Sequence, residues 1–149
     1  MIRNTRDTMS EIYLAALKIR NEVFVKEQGV PYALEVENPV EEAAAVHFVY
    51  FDDGGKALAT VRLLVNAEDR TLALVQRMAV IKEARGQGIA AQLLTYLTDF
   101  AREHGVQTLI LHAQLSARGF YDKAGFLSEG EVFEEAGIRH ITMKKFLPK

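Results

Sequence analysis

Leu72-Ala73-Leu74-Val75-Gln76-Arg77-Met78-Ala79-Val80-Ile81 runs straight into Lys82-Glu83-Ala84-Arg85-Gly86-Gln87-Gly88-Ile89-Ala90, and the fold turns on how this junction is read. The first stretch is long and dominated by apolar residues, as a buried strand should be. Lys82 to Gly88 is charged and glycine-rich, which marks a loop. From Ile89 onward, Leu93, Leu94, Leu97, Phe100 and Ala101 recur at helical spacing. That helix should stop at His104-Gly105, where glycine can take the left-handed closing conformation. Val106 to Ala113 then reads as a second buried strand. A strand, a crossover helix and a strand in this order place Leu72–Ile81 and Val106–Ala113 in parallel within one sheet.

Outward from this centre, Thr8-Met9-Ser10-Glu11 offers capping chemistry, and Ile12, Ala16, Ile19 and Val23 form an apolar stripe. An amphipathic helix is expected there, running to about Lys26. Gly29 to Glu42 reads as irregular and acidic, with Glu35, Glu37, Glu41 and Glu42 either on a plain solvated loop or gathered to attract a cationic partner. Val46 to Phe51 and Ala57 to Val65 read as strands joined at Asp52-Asp53-Gly54-Gly55, a hairpin signal. Ser116 to Lys123 suits a short helix that ends at Ala124-Gly125. Two closing strands are expected near Phe126–Phe133 and His140–Phe146. The sum is one α/β domain over residues 1–149, a mixed sheet flanked by helices.

Composition narrows the function. The 149 residues are 49% hydrophobic and 26% charged, with a net charge of -2 and no cysteine. The missing thiols exclude a disulfide framework, a thiolate zinc site and a cysteine nucleophile. The charge balance argues against a nucleic-acid partner. Nothing approaches the ~20 apolar residues of a membrane span, so no membrane partner is expected. The N-terminus lacks the apolar core of a signal peptide, which makes a reduced cytoplasmic setting the default. Neither metal-ligand spacing nor a Ser/His/Asp arrangement stands out, so no metal is expected.

Arg85-Gly86-Gln87-Gly88-Ile89-Ala90 is the chemically informative loop. Its glycines let a ligand approach the backbone, and the helix behind them starts with unpaired N–H groups at the positive end of its dipole. A phosphate would gain hydrogen bonds there, and Arg85 adds a positive charge. The loop could instead be a plain tight turn. Gly86-x-Gly88-x-x-Ala91 also imitates a dinucleotide fingerprint, but that motif needs an acidic residue ~20 positions on, after the next strand. Here Asp99 and Glu103 lie inside the helix, and the loop follows antiparallel strands.

Arg85-x-x-Gly88-x-Ala90 resembles the Q/R-x-x-G-x-G/A signature of the GNAT N-acetyltransferase superfamily, and its surroundings agree. Arg77-Met78-Ala79-Val80 is similar to the splayed strand of that family. Ala113-Gln114-x-x-Ala117-x-x-Phe120-Tyr121-x-x-x-Gly125-Phe126 is similar to its second cofactor segment. Arg20-x-x-Val23-Phe24-Val25-x-Glu27-Gln28, Ala44-x-x-His47 and Gly137-Ile138-x-His140-Ile141-x-Met143 resemble the ElaA-like branch, which extends the match from about residue 20 to 143. Where that branch is expected to carry aspartates, this chain has Glu37 and Glu41.

The resemblance implies a GNAT-like acyl-CoA N-acyltransferase fold and acetyl-CoA as co-substrate. It implies pantetheine pairing along Met78, Ala79 and Val80, with a backbone N–H there on the thioester carbonyl. Pyrophosphate would lie on Arg85, Gly86, Gln87, Gly88, Ile89 and Ala90, and further cofactor contacts on Gln114, Ala117, Phe120 and Tyr121. Tyr121 would protonate the leaving thiolate. The acceptor, an amine on a small molecule or a protein, must lose a proton. Base candidates are His47, just after the acidic stretch, and Glu27, at the end of the first helix. Gln28, His112 and His140 would bind the acceptor. Each also has a plain reading: His47 as a satisfied edge histidine, Glu27 as solvated helix-end polarity, Tyr121 as a core aromatic beside Phe120 and Phe126, His112 as a core histidine and His140 as a structural one. A non-catalytic acyl-CoA-binding module and a cofactor-free interaction domain stand as alternatives, and exposed edge strands could pair two copies into a homodimer.

Overall fold

A computed structural model describes residues 1–32 and 38–148. Among these residues seven strands form one sheet: β1 (Ile2–Thr5), β2 (Val46–Phe51), β3 (Ala57–Val65), β4 (Leu72–Val80), β5 (Thr108–Gln114), β6 (Leu127–Glu135) and β7 (Ile138–Phe146). Their spatial order is β1-β2-β3-β4-β5-β7-β6. Only β4 and β5 are parallel; every other neighbouring pair is antiparallel.

Among the described residues four α-helices accompany the sheet: α1 (Glu11–Arg20), α2 (Pro39–Ala44), α3 (Ile89–Glu103) and α4 (Arg118–Lys123). Ser10 starts α1 by accepting the N–H of Tyr13 on its side chain. The helix does not continue regularly to Lys26. Past Arg20 it widens into π-helical turns over Asn21–Glu27, a geometry often found at functional sites.

Tyr13 of α1 packs edge-on against His47, while Phe48 packs against Tyr96 and Phe100 of α3. Consecutive strand residues point to opposite faces, so α1 and α3 cover opposite sides of the sheet. Ala16, Ile19 and Val23 are buried on one side, and Leu93, Leu94, Leu97 and Ala101 on the other. No helix among the described residues is long and apolar enough to cross a membrane.

Two elements differ from the sequence reading. β1 pairs with β2 from Ile2↔Tyr50 to Thr5↔His47 and adds an unforeseen edge strand. Pro39–Ala44 is helical, not irregular: Asn38 caps it by accepting the Glu41 N–H, and Pro39 occupies the first turn, where no N–H is needed. Glu35 and Glu37 lie outside the described residues.

The sheet is opened at its centre. β4 and β5 pair only from Leu72↔Thr108 to Val75↔Leu111. Beyond that point β5 stays with β7 as far as Gln114↔His140, and β4 stays with β3 as far as Val80↔Ala59. On β4, Gln76 to Ala79 opposes the shorter stretch Arg62 to Thr60, so one extra residue bulges out. Arg77, with φ 58°, takes up the left-handed backbone that this requires. A non-glycine residue held in that region is strained, and such strain gathers at functional sites.

Candidate active site

The two strands diverge around a cavity of about 720 Å³, within the usual range for small-molecule sites. One wall is the edge of β4 from Gln76 to Val80, and the other is β5 from Leu111 to Gln114. The β4 backbone there has lost its β5 partner, so it presents donors and acceptors to whatever fills the gap. The β4 edge leads through Lys82–Ala84, a single 3₁₀ turn, into the glycine loop.

Gly86 and Gly88 have φ of 81° and 76°, and a Cβ built on either meets nothing within 4 Å. Gly88 stands at the N-cap of α3 with no side chain over the helix end. The first N–H groups of a fifteen-residue helix are therefore open to an anion. These observations fit a pyrophosphate at the loop and an extended amide-bearing arm along β4.

Arg85 already has partners. Its Nη1 and Nη2 donate to the two carboxylate oxygens of Glu27 at 2.6 and 2.7 Å, and its Nε donates to the Val80 carbonyl at 3.0 Å. The hydrogen bond from Arg85 lowers the Glu27 pKa, and Glu27 raises that of Arg85. The next residue, Gln28, accepts from the Gln114 amide at 3.0 Å. The end of the π-helical segment thus ties onto both sides of the gap.

Tyr121 lines the cavity from α4, only 7% exposed and edge-on to both Phe120 and Phe126. Burial pushes its pKa up to about 12. Of the residues singled out from the sequence, Met78, Ala79, Val80, Arg85, Ala90, Gln114, Ala117 and Phe120 join it on the wall. So do Gln28, His112 and His140. Gly86, Gln87 and Gly88 form the loop beyond the wall, and the Ile89 side chain packs into the core. Any contact from these four is through the backbone or from the loop outside the cavity.

The two base candidates sit elsewhere. His47 is 1% exposed and off the cavity wall; its Nε2 donates to the Glu42 carbonyl at 2.9 Å. Burial pushes its pKa down. Glu27 is likewise off the wall and committed to Arg85.

A buried charge network escaped the sequence reading. Glu42 is no solvated loop residue: Arg20 binds it with two hydrogen bonds of 2.9 Å, Arg62 forms a close ion pair with it, and the Tyr13 hydroxyl donates to it. Arg62 also donates from Nε to Gln76 at 2.9 Å and lines the cavity with Glu41. Burial would raise the Glu42 pKa, but hydrogen bonds from Arg20 and Tyr13 and the charges of Arg20 and Arg62 bring it down to about 2. The signal was present in the sequence. Arg20 lies eight residues after Ile12, on the apolar stripe of α1, and Arg62 interrupts Val61-Leu63-Leu64. A charge at a core position implies a partner.

Across the cavity the wall belongs to the β6–β7 hairpin. His112 Nδ1 lies 3.2 Å from Glu135 Oε1, and His140 Nε2 lies 3.7 Å from Glu135 Oε2. The Phe133 ring stands edge-on to His112 and stacked on His140. Among the described residues no cluster of His, Asp or Glu is arranged to hold a metal ion.

Residues 8–147 match the family model of the acetyltransferase (GNAT) domain. The uncharacterized N-acetyltransferase YjcF of Bacillus subtilis is 36% identical over 132 residues, covering 87% of this chain and 89% of its own. The crystal structure of an acyl-CoA N-acyltransferase from Pseudomonas aeruginosa superposes with a TM-score of 0.83 at 29% identity, covering 97% of this chain and 98% of that one. Escherichia coli ElaA superposes with a TM-score of 0.82 at 27% identity, covering 97% and 99%. With its splayed sheet, glycine loop and these relatives taken together, the chain belongs to the GNAT acetyltransferase family, in its ElaA-like branch, and is a transferase.

Proposed function

We propose that the protein transfers the acetyl group of acetyl-CoA to a primary amine, by direct attack within a ternary complex. The observation that carries this reading is the continuous path from the unpaired β4 edge, past Tyr121, to the open N-terminus of α3. The P. aeruginosa relative, whose name states acyl-CoA as its donor, supports it.

Bound acetyl-CoA supplies an activated acyl group, a thioester with a thiolate leaving group. The chain supplies the rest. Backbone N–H groups freed between Met78 and Val80 can hold the carbonyl oxygen as charge builds on it. Tyr121 keeps its proton across the working pH range, because burial has raised its pKa to about 12, and it can deliver that proton to sulfur. Glu41 and Glu135 on the wall give the acceptor end a negative lining that suits a cationic amine.

Acetyl-CoA at 100 times its dissociation constant should stabilise the fold by ~2.7 kcal/mol, read as a raised unfolding midpoint, while NAD should leave it unchanged. A shift justifies a thiol-release screen with L-lysine, spermidine, tyramine, glucosamine and a lysine-bearing peptide, which a cysteine-free chain does not contaminate. Binding without turnover on any amine would favour the non-catalytic acyl-CoA module. No shift with any CoA ester would overturn the reading.

The Glu27–Arg85 pair makes a separate prediction. A pyrophosphate arriving at Arg85 meets a guanidinium that Glu27 already neutralises. The pair is about 40% exposed, so its strength is that of a surface ion pair, ~1 kcal/mol or less. Glu27→Gln should therefore tighten CoA binding by up to ~5-fold at low salt, and the gain should shrink at high ionic strength. Calorimetric titration decides it, and a weaker affinity would mean that Glu27 positions Arg85 instead.

A further inference from the structure

We infer that His112 is the general base of the transfer and that Glu135, at the tip of the β6–β7 hairpin, fixes its tautomer; this rests on the acetyl-transfer reading above. The last β4–β5 pair is Val75↔Leu111. His112 is therefore the first β5 residue inside the opening, across from Gln76 and next to the bulge at Arg77. The β4 N–H groups freed between Met78 and Val80 begin just past that vertex, so the carbonyl they hold and the attacking amine meet beside it.

Strand alternation puts His112 on the open side. Leu111 and Ala113 are buried in the core, while the His112 side chain is 45% exposed and lines the cavity. Its Nδ1 lies 3.2 Å from Glu135 Oε1. An ionised carboxylate only accepts, so the proton sits on Nδ1 and Nε2 keeps its lone pair. Glu135 is delivered by a two-residue turn, Ala136-Gly137, in which both residues have positive φ, 52° and 77°. That is the signature of the type I′ turn, whose twist matches a hairpin.

The other histidines are committed elsewhere. His47 is buried and bonded to the Glu42 carbonyl, and His104 Nδ1 is bonded to the Phe100 carbonyl at 2.8 Å. His140 Nδ1 is bonded to the Ile138 carbonyl at 2.7 Å, and its Nε2 faces the second oxygen of Glu135. Only His112 combines an uncommitted Nε2 with a place at the vertex.

The amine nitrogen bonds to the carbonyl carbon while the C–S bond breaks. His112 Nε2 takes the proton the nitrogen sheds, and Tyr121 gives its phenolic proton to sulfur. Exchange with water returns a proton to Tyr121 and removes one from His112. An acceptor that enters as ammonium releases one net proton to solvent.

The test reads the ring directly. In protein labelled with ¹⁵N-histidine, at a pH where the ring is neutral, long-range ¹H–¹⁵N spectra should show His112 protonated on Nδ1. In Glu135→Ala the Nε2–H form should take over. Both side chains are about half exposed, at 45% and 49%, so neither substitution should disturb folding. With any amine of the five-member panel that the wild type acetylates, His112→Ala should lower kcat ~10²- to 10⁴-fold. The acetyl-CoA shift in unfolding midpoint should stay unchanged, and added imidazole should restore part of the rate. His112 found protonated on Nε2 in the wild type would overturn the assignment, as would a His112→Ala kcat within a few-fold of normal. A wild type that shows no acetyl-CoA shift would sink the transfer reading itself, which separates the two failures.

Discussion

Glu42→Ala is expected to destabilise the fold by ~3–5 kcal/mol, a large share of the 5–15 kcal/mol that holds a typical domain together. The substitution takes from Arg20 and Arg62, 1% and 3% exposed, the buried carboxylate they share; Arg62 keeps Gln76 at 2.9 Å and Glu41 at 3.5 Å, a half-exposed partner that replaces little of the loss. Chemical denaturation measures the loss. A deficit under ~1 kcal/mol would show that the arginines find water or other partners. Glu42→Gln, which keeps the shape and some hydrogen bonds, should fall between the two.

The same carboxylate predicts an acid limb. Its pKa is lowered in the fold, from an ordinary 4.5 to about 2. Its stabilising contribution is therefore complete above pH ~5 and is lost as the pH falls toward 2. Wild type should lose on the order of 3 kcal/mol across that window, and Glu42→Gln should show a flatter curve.

Tyr121→Phe should lower kcat by ~10²-fold or more while leaving acetyl-CoA affinity nearly intact. The ring keeps its packing against Phe120 and Phe126, so only the proton is lost. The decisive control is the leaving group. A thioester whose thiolate departs without protonation should narrow the deficit, because it no longer needs the donor. Unchanged turnover in Tyr121→Phe would strip the residue of its acid role and leave it a core aromatic.

Local signals in the chain were reliable where local chemistry governs. β2 and β3 begin and end where alternation and the Asp52-to-Gly55 turn put them, and α3 ends at His104-Gly105. The place of the glycine loop before α3 and of Tyr121 on the cavity wall was also readable, because a short motif carries them. β1 was not, since four residues at a sheet edge leave too little pattern. Pro39 and four glutamates hid α2, although Asn38-Pro39 is a sound helix start. The site's polar framework was the hardest to see. Arg20, Glu42 and Arg62 meet from about twenty residues apart, and His112 meets Glu135 only through the register of three strands. Sequence shows that a buried arginine needs a partner; only the folded sheet shows which.

The short β4–β5 seam has one more consequence. The sheet is two ribbons, β1–β4 and β5–β7–β6, stitched together by four residue pairs. An amide-bearing chain laid along the freed β4 edge would act as a missing strand and complete the weave. Part of the energy of holding such a guest is then architectural, a gain in cohesion between the two ribbons, and the protein should be stiffest when it is loaded.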